Sequence, residues 1–199
     1  MKFRAAYGPV LINALRFAPC AHLNTTQKTT TMIKDPAANG AFRLQPELEA
    51  QYRIILDKSN SLEDRLEAFE FIAESEVGDT PLIRARNIER EIGIRQVYLK
   101  FEGGNPTGTQ KDRIAFAQCA DALRRGFEGI NLATCGNYGV ACALAARFAG
   151  LKCQIFLPEN YHTRRVEEMK HLGATIIRKG KDYEEAVAAS QEDAAKREF

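Results

Sequence analysis

The sequence lacks the short-range patterns that cysteines and histidines form in disulfide scaffolds and metal sites. It contains five cysteines, an odd number, and no two of them are spaced as CxxC. That argues against a disulfide framework and for a reducing compartment. The three histidines form no HExxH motif and flank no cysteine at the spacing of zinc ligands. We therefore expect no metal site.

Long apolar runs and a one-sided charge are also missing. No apolar run reaches the roughly 18 residues that a membrane-spanning helix needs, so we expect no membrane association. Lys and Arg number 28 and Asp and Glu 26, which gives no sign of nucleic acid or an anionic membrane as partner. A chain of 199 residues is long enough to bury one sizeable core.

Acidic residues are absent from the first 34 positions, which are basic and rich in threonine. This composition suits an organelle transit peptide, whereas Arg16 interrupts the apolar stretch that a secretory signal requires. A disordered tail, or sequence ahead of a true start at Met32, fits equally well. We expect residues 1–43 to be an N-terminal extension. The location is then the cytoplasm, or a mitochondrion or plastid if residues 1–34 are a transit peptide.

A helical lead-in is predicted for residues 44–76. Leu62, Leu66, Phe69 and Ile72 recur at helical spacing, and Ser61 with Asp64 three residues later matches a capping box.

From residue 77 onwards the pattern alternates between strands and helices. Strands are predicted at 96–101, 129–134, 153–158 and 174–180, and helices at 110–125, 140–150, 163–173 and 182–199. Four alternations with short connections predict an α/β fold in which helices flank a parallel sheet. Ligands bind beyond the carboxyl ends of such strands. Two Gly-rich turns, "GGNPTGTQK" and "TCGNYG", leave strands and enter helices, so we expect both at one rim of the sheet.

Neither turn fits a common nucleotide-binding motif. Gly103 and Gly108 have the separation of a phosphate loop, but Lys111 comes two residues too late and no hydroxyl residue follows it. The turn "CGNYG" lacks the GxGxxG pattern of a dinucleotide site.

Lys111 occupies an unusual position for a cation. Thr109 is a natural helix N-cap, and Asp112 completes the capping pattern, which places Lys111 in the first helical turn. The positive end of the helix dipole disfavours an ammonium there and favours a neutral amine, the form that attacks an aldehyde to give a Schiff base. On the helix position alone, an exposed lysine partly balanced by Asp112 is the favoured interpretation.

Four linked blocks resemble a known enzyme superfamily. "GDTPL", "YLKFEGGNPTGTQKDR", "ATCGNYGVACALAARFAGLKCQIFLP" and "KHLGATI" are similar to the fold-type II pyridoxal-phosphate (PLP) enzymes of the tryptophan synthase β-subunit superfamily. Within it, "NPTGTQKDRIA" is most similar to threonine synthase. The resemblance covers about residues 77–199.

The resemblance implies roles for individual residues. Lys111 corresponds to the lysine that holds PLP as a Schiff base and moves protons at the substrate Cα. Asn137 corresponds to the asparagine that forms a hydrogen bond at the 3′-hydroxyl of the cofactor. The loop that grips the substrate carboxylate would consist of Thr134, Cys135, Gly136, Asn137 and Tyr138, whose backbone N–H groups suit an anion.

Simpler interpretations of several residues stay open. Asn137 between two glycines fits a turn residue, and Cys135 fits a small buried residue better than a nucleophile. Tyr138 stands where relatives often carry His or Thr, which leaves the substrate open. Asp112 and Arg113 are interpreted as capping and packing support.

The resemblance also implies that part of the enzyme is absent. Relatives carry a Gly-rich cup for the cofactor phosphate in their second half, whereas the glycines after Gly139 stand singly, at Gly150, Gly173 and Gly180. We expect the N-terminal portion of an enzyme that is a homodimer when full length.

The implied reaction is a PLP-dependent elimination or replacement on an amino acid. The first candidate is the conversion of O-phosphohomoserine to threonine and phosphate. Threonine or serine dehydratase and cysteine or cysteate synthase chemistry are alternatives on the same scaffold. A further alternative is an inactive fragment, or a half-enzyme that needs a partner chain.

Overall fold

A computed structural model describes residues 33–34, 42–43 and 46–197. Two short strands, β1 (Ile33–Lys34) and β2 (Phe42–Arg43), pair antiparallel. The transit-peptide and disordered-tail interpretations concern residues 1–34. Apart from Ile33 and Lys34, these lie outside the described part.

Thirteen further elements follow in chain order. They are α1 (Pro46–Leu56), α2 (Leu62–Glu76), β3 (Leu82–Arg84), α3 (Arg86–Ile92), β4 (Tyr98–Lys100), a 3-10 turn (Glu102–Gly104), α4 (Lys111–Arg124), β5 (Gly129–Ala133), α5 (Asn137–Ala149), β6 (Lys152–Leu157), α6 (Arg165–His171), β7 (Thr175–Arg178) and α7 (Tyr183–Arg197).

Helix α2 begins as the sequence predicts. The Ser61 hydroxyl accepts the Asp64 N–H at 3.0 Å and donates to the Asp64 carboxylate at 2.7 Å, which satisfies an N–H group at the start of the helix. Phe69 and Ile72 are fully buried, as the helical spacing predicts. Leu62 is 39% exposed instead, because it lies in the first turn, at the margin of the core.

The predicted parallel sheet flanked by helices is confirmed for β5, β6 and β7, which are parallel and lie in that order. Cys153, Ile155 and Leu157 of β6 point into the core shared with α5. Phe156 points the other way and packs against Ala186 of α7. Because successive strand residues face opposite sides, α5 and α7 cover opposite faces of the sheet.

The strand predicted at 96–101 does not belong to this sheet. β4 pairs antiparallel with β3 in a separate two-stranded sheet, in the register Leu82 with Lys100 and Arg84 with Tyr98. The expectation that both Gly-rich turns leave parallel strands was therefore wrong for the first turn. An apolar stretch predicts a strand but not its partner, and the three residues of β3 are too few to show a period.

Small residues let α5 lie in the centre of the molecule. Its alanines are almost all fully buried, which permits close approach to α4 and the sheet. The helix starts at Asn137, three residues before the predicted start, because the Gly136 carbonyl already accepts the N–H groups of Gly139 and Val140. Among the described helices, none has the length and apolar character needed to cross a bilayer.

Candidate active site

Lys111 is the first residue of α4 and is half-buried. Its backbone N–H lies 3.2 Å from the Thr109 hydroxyl oxygen, which accepts it. Gln110, not Thr109, is the residue that flanks the helix, so the predicted cap is shifted by one position. Before it, Gly108 adopts a left-handed φ of 79°, a conformation that glycine allows at no steric cost.

The Asp112 carboxylate braces the loop in front of Lys111. It is fully buried and accepts the Thr107 N–H at 2.9 Å and the Thr107 hydroxyl at 2.7 Å. Burial raises the pKa of Asp112, and the hydrogen bonds from Thr107 oppose that rise. Asp112 therefore does more than cap the helix, because it ties the residues before Lys111 to those after it.

Arg113 joins this loop to the earlier turn "GDTPL". Its guanidinium donates to the carbonyl of Gly78 at 2.9 Å, to the Thr80 hydroxyl at 3.0 Å and to the Glu102 carboxylate at 2.8 Å. The Arg113 hydrogen bond is the main reason why the pKa of Glu102 falls to about 2.

Asn105, in the Gly-rich loop, completes the network. It is buried, accepts the Gly78 N–H at 3.1 Å and donates to Glu102 at 2.9 Å. The sequence interpretation treated Arg113 only as packing support. An acid eleven residues before Arg113, with an asparagine between them in the Gly-rich loop, is the sequence signal that this interpretation missed.

The second Gly-rich turn connects β5 to α5. Thr134 is buried and Cys135 is half-buried, and burial raises the pKa of the Cys135 thiol. The carbonyl of Cys135 accepts the Tyr161 hydroxyl at 2.8 Å, which fixes the turn. Gly136 and Asn137 follow, and the side chain of Asn137 is exposed at the helix start.

Tyr138 turns its side chain towards α4. Its hydroxyl donates to the side-chain carbonyl of Gln118, and burial raises the pKa of Tyr138. Because the hydroxyl is engaged, Tyr138 can offer a ligand at this turn its backbone N–H group. That group lies in the first turn of α5, where N–H groups have no carbonyl partner within the helix.

Arg165, which the sequence interpretation assigned only to a helix, contacts the second Gly-rich turn. It donates to the side-chain oxygen of Asn137 at 2.8 Å. Burial raises the pKa of Asp112, the residue next to Lys111, and the charge of Arg165 adds a small opposing effect. The motif asparagine thus has a charged partner from α6.

A groove of about 710 Å³ runs between α4 and β5. Gln118, Asp121, Phe127, Ile130 and Tyr138 are among its lining residues. Arg113 and Tyr138 line the groove, whereas Lys111 and Asn137 do not, so the groove borders the candidate site.

The two Gly-rich turns supply an amine at the start of α4, and a side-chain amide and backbone N–H groups at the start of α5. Such a set fits an aldehyde-bearing cofactor and a substrate carboxylate: the amine binds the carbonyl, and the N–H groups bind an anion.

Comparison with known proteins points to the same chemistry. Residues 73–199 match the family described as pyridoxal-phosphate dependent enzyme. Over 107 residues the chain is 40% identical to a cystathionine beta-synthase from Apis mellifera, covering 51% of this chain and 21% of that protein. Over 111 residues it is 34% identical to a threonine synthase from Methanocaldococcus jannaschii, covering 55% of this chain and 27% of the relative. The alignments thus span well under half of these relatives.

A solved structure shares the fold. The processed form of threonine deaminase isoform 2 from Solanum lycopersicum matches with a TM-score of 0.56 at 21% identity, over 68% of this chain and 41% of that one.

Proposed function

The chain belongs to the pyridoxal-phosphate dependent enzyme family, and we propose that it carries the lysine-bearing part of an active site that eliminates or replaces a group on an amino-acid substrate. Pyridoxal phosphate is the cofactor of that family. The observation that most supports this proposal is the position of Lys111. It lies at the start of α4, after a loop that Asp112 and Arg113 hold in place.

The proposal gives each residue a task. Lys111 would bind the cofactor aldehyde and later hold or release a proton at the substrate Cα. Asn137 would form a hydrogen bond at the cofactor 3′-oxygen. Backbone N–H groups from Thr134 to Tyr138 would bind the substrate carboxylate, helped by the dipole of α5.

The cofactor, when bound, supplies the electron sink for charge that develops at the substrate Cα. The described residues supply orientation. The Thr107–Asp112 and Glu102–Arg113 contacts hold the backbone on both sides of Lys111, which fixes the point from which its side chain extends.

For the substrate, we propose O-phosphohomoserine, with threonine and phosphate as products. Support comes from the resemblance of "NPTGTQKDRIA" to threonine synthase and from the similarity to the Methanocaldococcus jannaschii relative of that name. The similarity to a cystathionine beta-synthase keeps replacement chemistry on serine-type substrates as the alternative. Threonine or serine dehydratase and cysteine or cysteate synthase reactions also remain alternatives.

Two assembly proposals accompany this one. The complete enzyme would be a homodimer in the cytoplasm, or in an organelle if residues 1–34 are a transit peptide. The 199-residue chain would alternatively be inactive by itself, or active only with a partner chain.

Borohydride trapping tests the central role. The chain is mixed with PLP, reduced, digested and mapped by mass spectrometry. We expect label concentrated on Lys111 and lost in Lys111→Ala. Lys170→Ala is the control, because Lys170 is exposed and paired with Glu167 at 2.9 Å on α6. Label spread evenly over surface lysines contradicts the proposal.

A second assay addresses the reaction. The chain is incubated with PLP without reduction and offered O-phosphohomoserine, O-acetylserine with sulfide, or threonine, and release of phosphate, acetate or 2-oxobutyrate is measured. Phosphate release supports threonine synthase, and a different product identifies one of the alternatives. Labelling at Lys111 without turnover supports the half-enzyme alternative.

A further inference from the structure

Arg165 is a charged residue to which the proposed function gives no task. It begins α6, where the Thr163 hydroxyl accepts its backbone N–H at 3.2 Å. Its side chain reaches back to the start of α5. There Nη2 lies 2.8 Å from Oδ1 of Asn137, and Nη1 lies 2.6 Å from Oε2 of Glu168.

The chemistry of this contact fixes the orientation of Asn137. A guanidinium has only donors, so the Asn137 atom facing it must be the amide oxygen. The NH₂ group of the same amide then points away from Arg165. An exposed asparagine without such a partner would turn either its oxygen or its nitrogen to a ligand, because the two ends are nearly equal in shape.

Neighbouring charges hold the guanidinium itself. Glu168 is three residues further along α6 and engages one Nη atom, which leaves the other for Asn137. Asp112 of α4 also lies within electrostatic range of Arg165. The side chain of Arg165 is one-third exposed, so one carboxylate and one amide oxygen define its position in a partly solvated site.

We propose that Arg165 is a positioning residue that occupies the oxygen of Asn137, so that Asn137 presents its NH₂ group as a hydrogen-bond donor to the 3′-oxygen of PLP. This rests on the proposed function. A donor at that position stabilises a negatively charged 3′-oxygen, whereas the amide oxygen would require the protonated hydroxyl. The alternative is that Arg165 only ties α6 to α5.

The first arm of the test uses the full chain without cofactor. Equilibrium unfolding is measured for Asn137→Ala, Asn137→Asp, Arg165→Leu and the double variants. We expect Asn137→Ala to lower the folding equilibrium constant about fivefold when Arg165 is present and to have no effect in Arg165→Leu. Asn137→Asp keeps an oxygen for Arg165 and should retain stability. Equal effects in both backgrounds overturn the inference.

The second arm measures PLP affinity by absorbance titration. Asn137→Asp should weaken PLP binding about tenfold, at least as much as Asn137→Ala, because a carboxylate cannot donate to the 3′-oxygen. Arg165→Leu should weaken PLP binding several-fold when Asn137 is present and should have no effect in the Asn137→Ala background. Arg165→Lys should restore part of the affinity. Arg164→Leu is the matched control, since Arg164 is an exposed neighbour on the same segment.

The outcomes separate the two proposals. Tight PLP binding by Asn137→Asp shows that an oxygen faces the cofactor and overturns the inference, while labelling of Lys111 leaves the proposed function intact. Additive losses from Arg165→Leu and Asn137→Ala also overturn it and support a purely structural contact. A wild-type chain that never binds PLP contradicts the proposed function and the inference together, even if the first arm shows the pairing.

Discussion

Arg113 holds the carboxylate of Glu102 with two hydrogen bonds, 2.8 Å from Nε to Oε2 and 3.1 Å from Nη2 to Oε1. The two residues flank the Gly-rich loop, one before it and one after it. A paired fork of this kind restrains direction as well as distance. The loop that carries Lys111 is therefore anchored at both ends before any ligand binds.

Replacing Arg113 by alanine should reduce the free energy of unfolding by about 2 kcal/mol, because hydrogen bonds to charged groups contribute about 1.5–3 kcal/mol. Urea unfolding followed by circular dichroism measures the change. Arg124→Ala is the control: Arg124 pairs with Glu70 at 3.0 Å, but its side chain is 56% exposed. Its loss should be about 1 kcal/mol or less. Equal losses for both variants would show that the Glu102 contact is no stronger than a surface ion pair.

Acid should weaken the same contact. The Arg113 hydrogen bond lowers the pKa of Glu102 from 4.5 to about 2. A depressed carboxyl pKa stabilises the fold above the unfolded pKa, and that stability is lost as the pH falls from about 4.5 towards 2. The melting temperature of the wild type should therefore fall more steeply over this range than that of Glu102→Gln. Parallel curves for the two proteins would contradict the assignment.

The sequence predicts the elements whose signal is local. Ser61 and Asp64 are three residues apart, and the five buried alanines of α5 lie within nine positions, so capping and burial can be inferred from neighbours. The partner of β4 was missed because strand pairing depends on residues far apart in the chain. The same reason hides the contact between Arg165 and Asn137, which are separated by 28 positions. In "TRRVEEMKHLG" nothing distinguishes the arginine that reaches the site from the exposed one before it.

Threonine 107 should control the ionisation of Asp112. Thr107→Val removes the hydroxyl that donates to the buried carboxylate at 2.7 Å. The cost should be about 1.5–3 kcal/mol at neutral pH. In the variant the pKa of Asp112 should rise further, because in the wild type the hydrogen bonds from Thr107 offset part of the rise that burial causes. A protonated Asp112 loses less than a carboxylate does when the Thr107 hydroxyl is absent. The difference in unfolding free energy between Thr107→Val and the wild type should therefore shrink as the pH falls through this raised pKa.

Unfolding at several pH values measures the effect of Thr107→Val. Thr175→Val serves as the control, since Thr175 is exposed on β7 and its replacement should give a difference independent of pH. A constant difference for Thr107→Val as well would mean that the Thr107 hydroxyl does not act through Asp112.

Gly139 keeps α5 close to α6, and alanine there should be destabilising. A Cβ at this position would lie 2.7 Å from Cε of Met169 and 2.9 Å from Cγ2 of Thr134. Met169 is fully buried, so its flexible end has little room to move. Overpacking costs about 1–3 kcal/mol, and the better helix propensity of alanine returns at most about 1 kcal/mol. A lower stability of Gly139→Ala in urea unfolding is the expected result.

In a Met169→Ala background the loss should become smaller, because the space vacated by the thioether accepts the new methyl group. An undiminished loss in that background would assign the clash to Thr134, and a stability equal to wild type would show that the α5–α6 contact is not tightly packed.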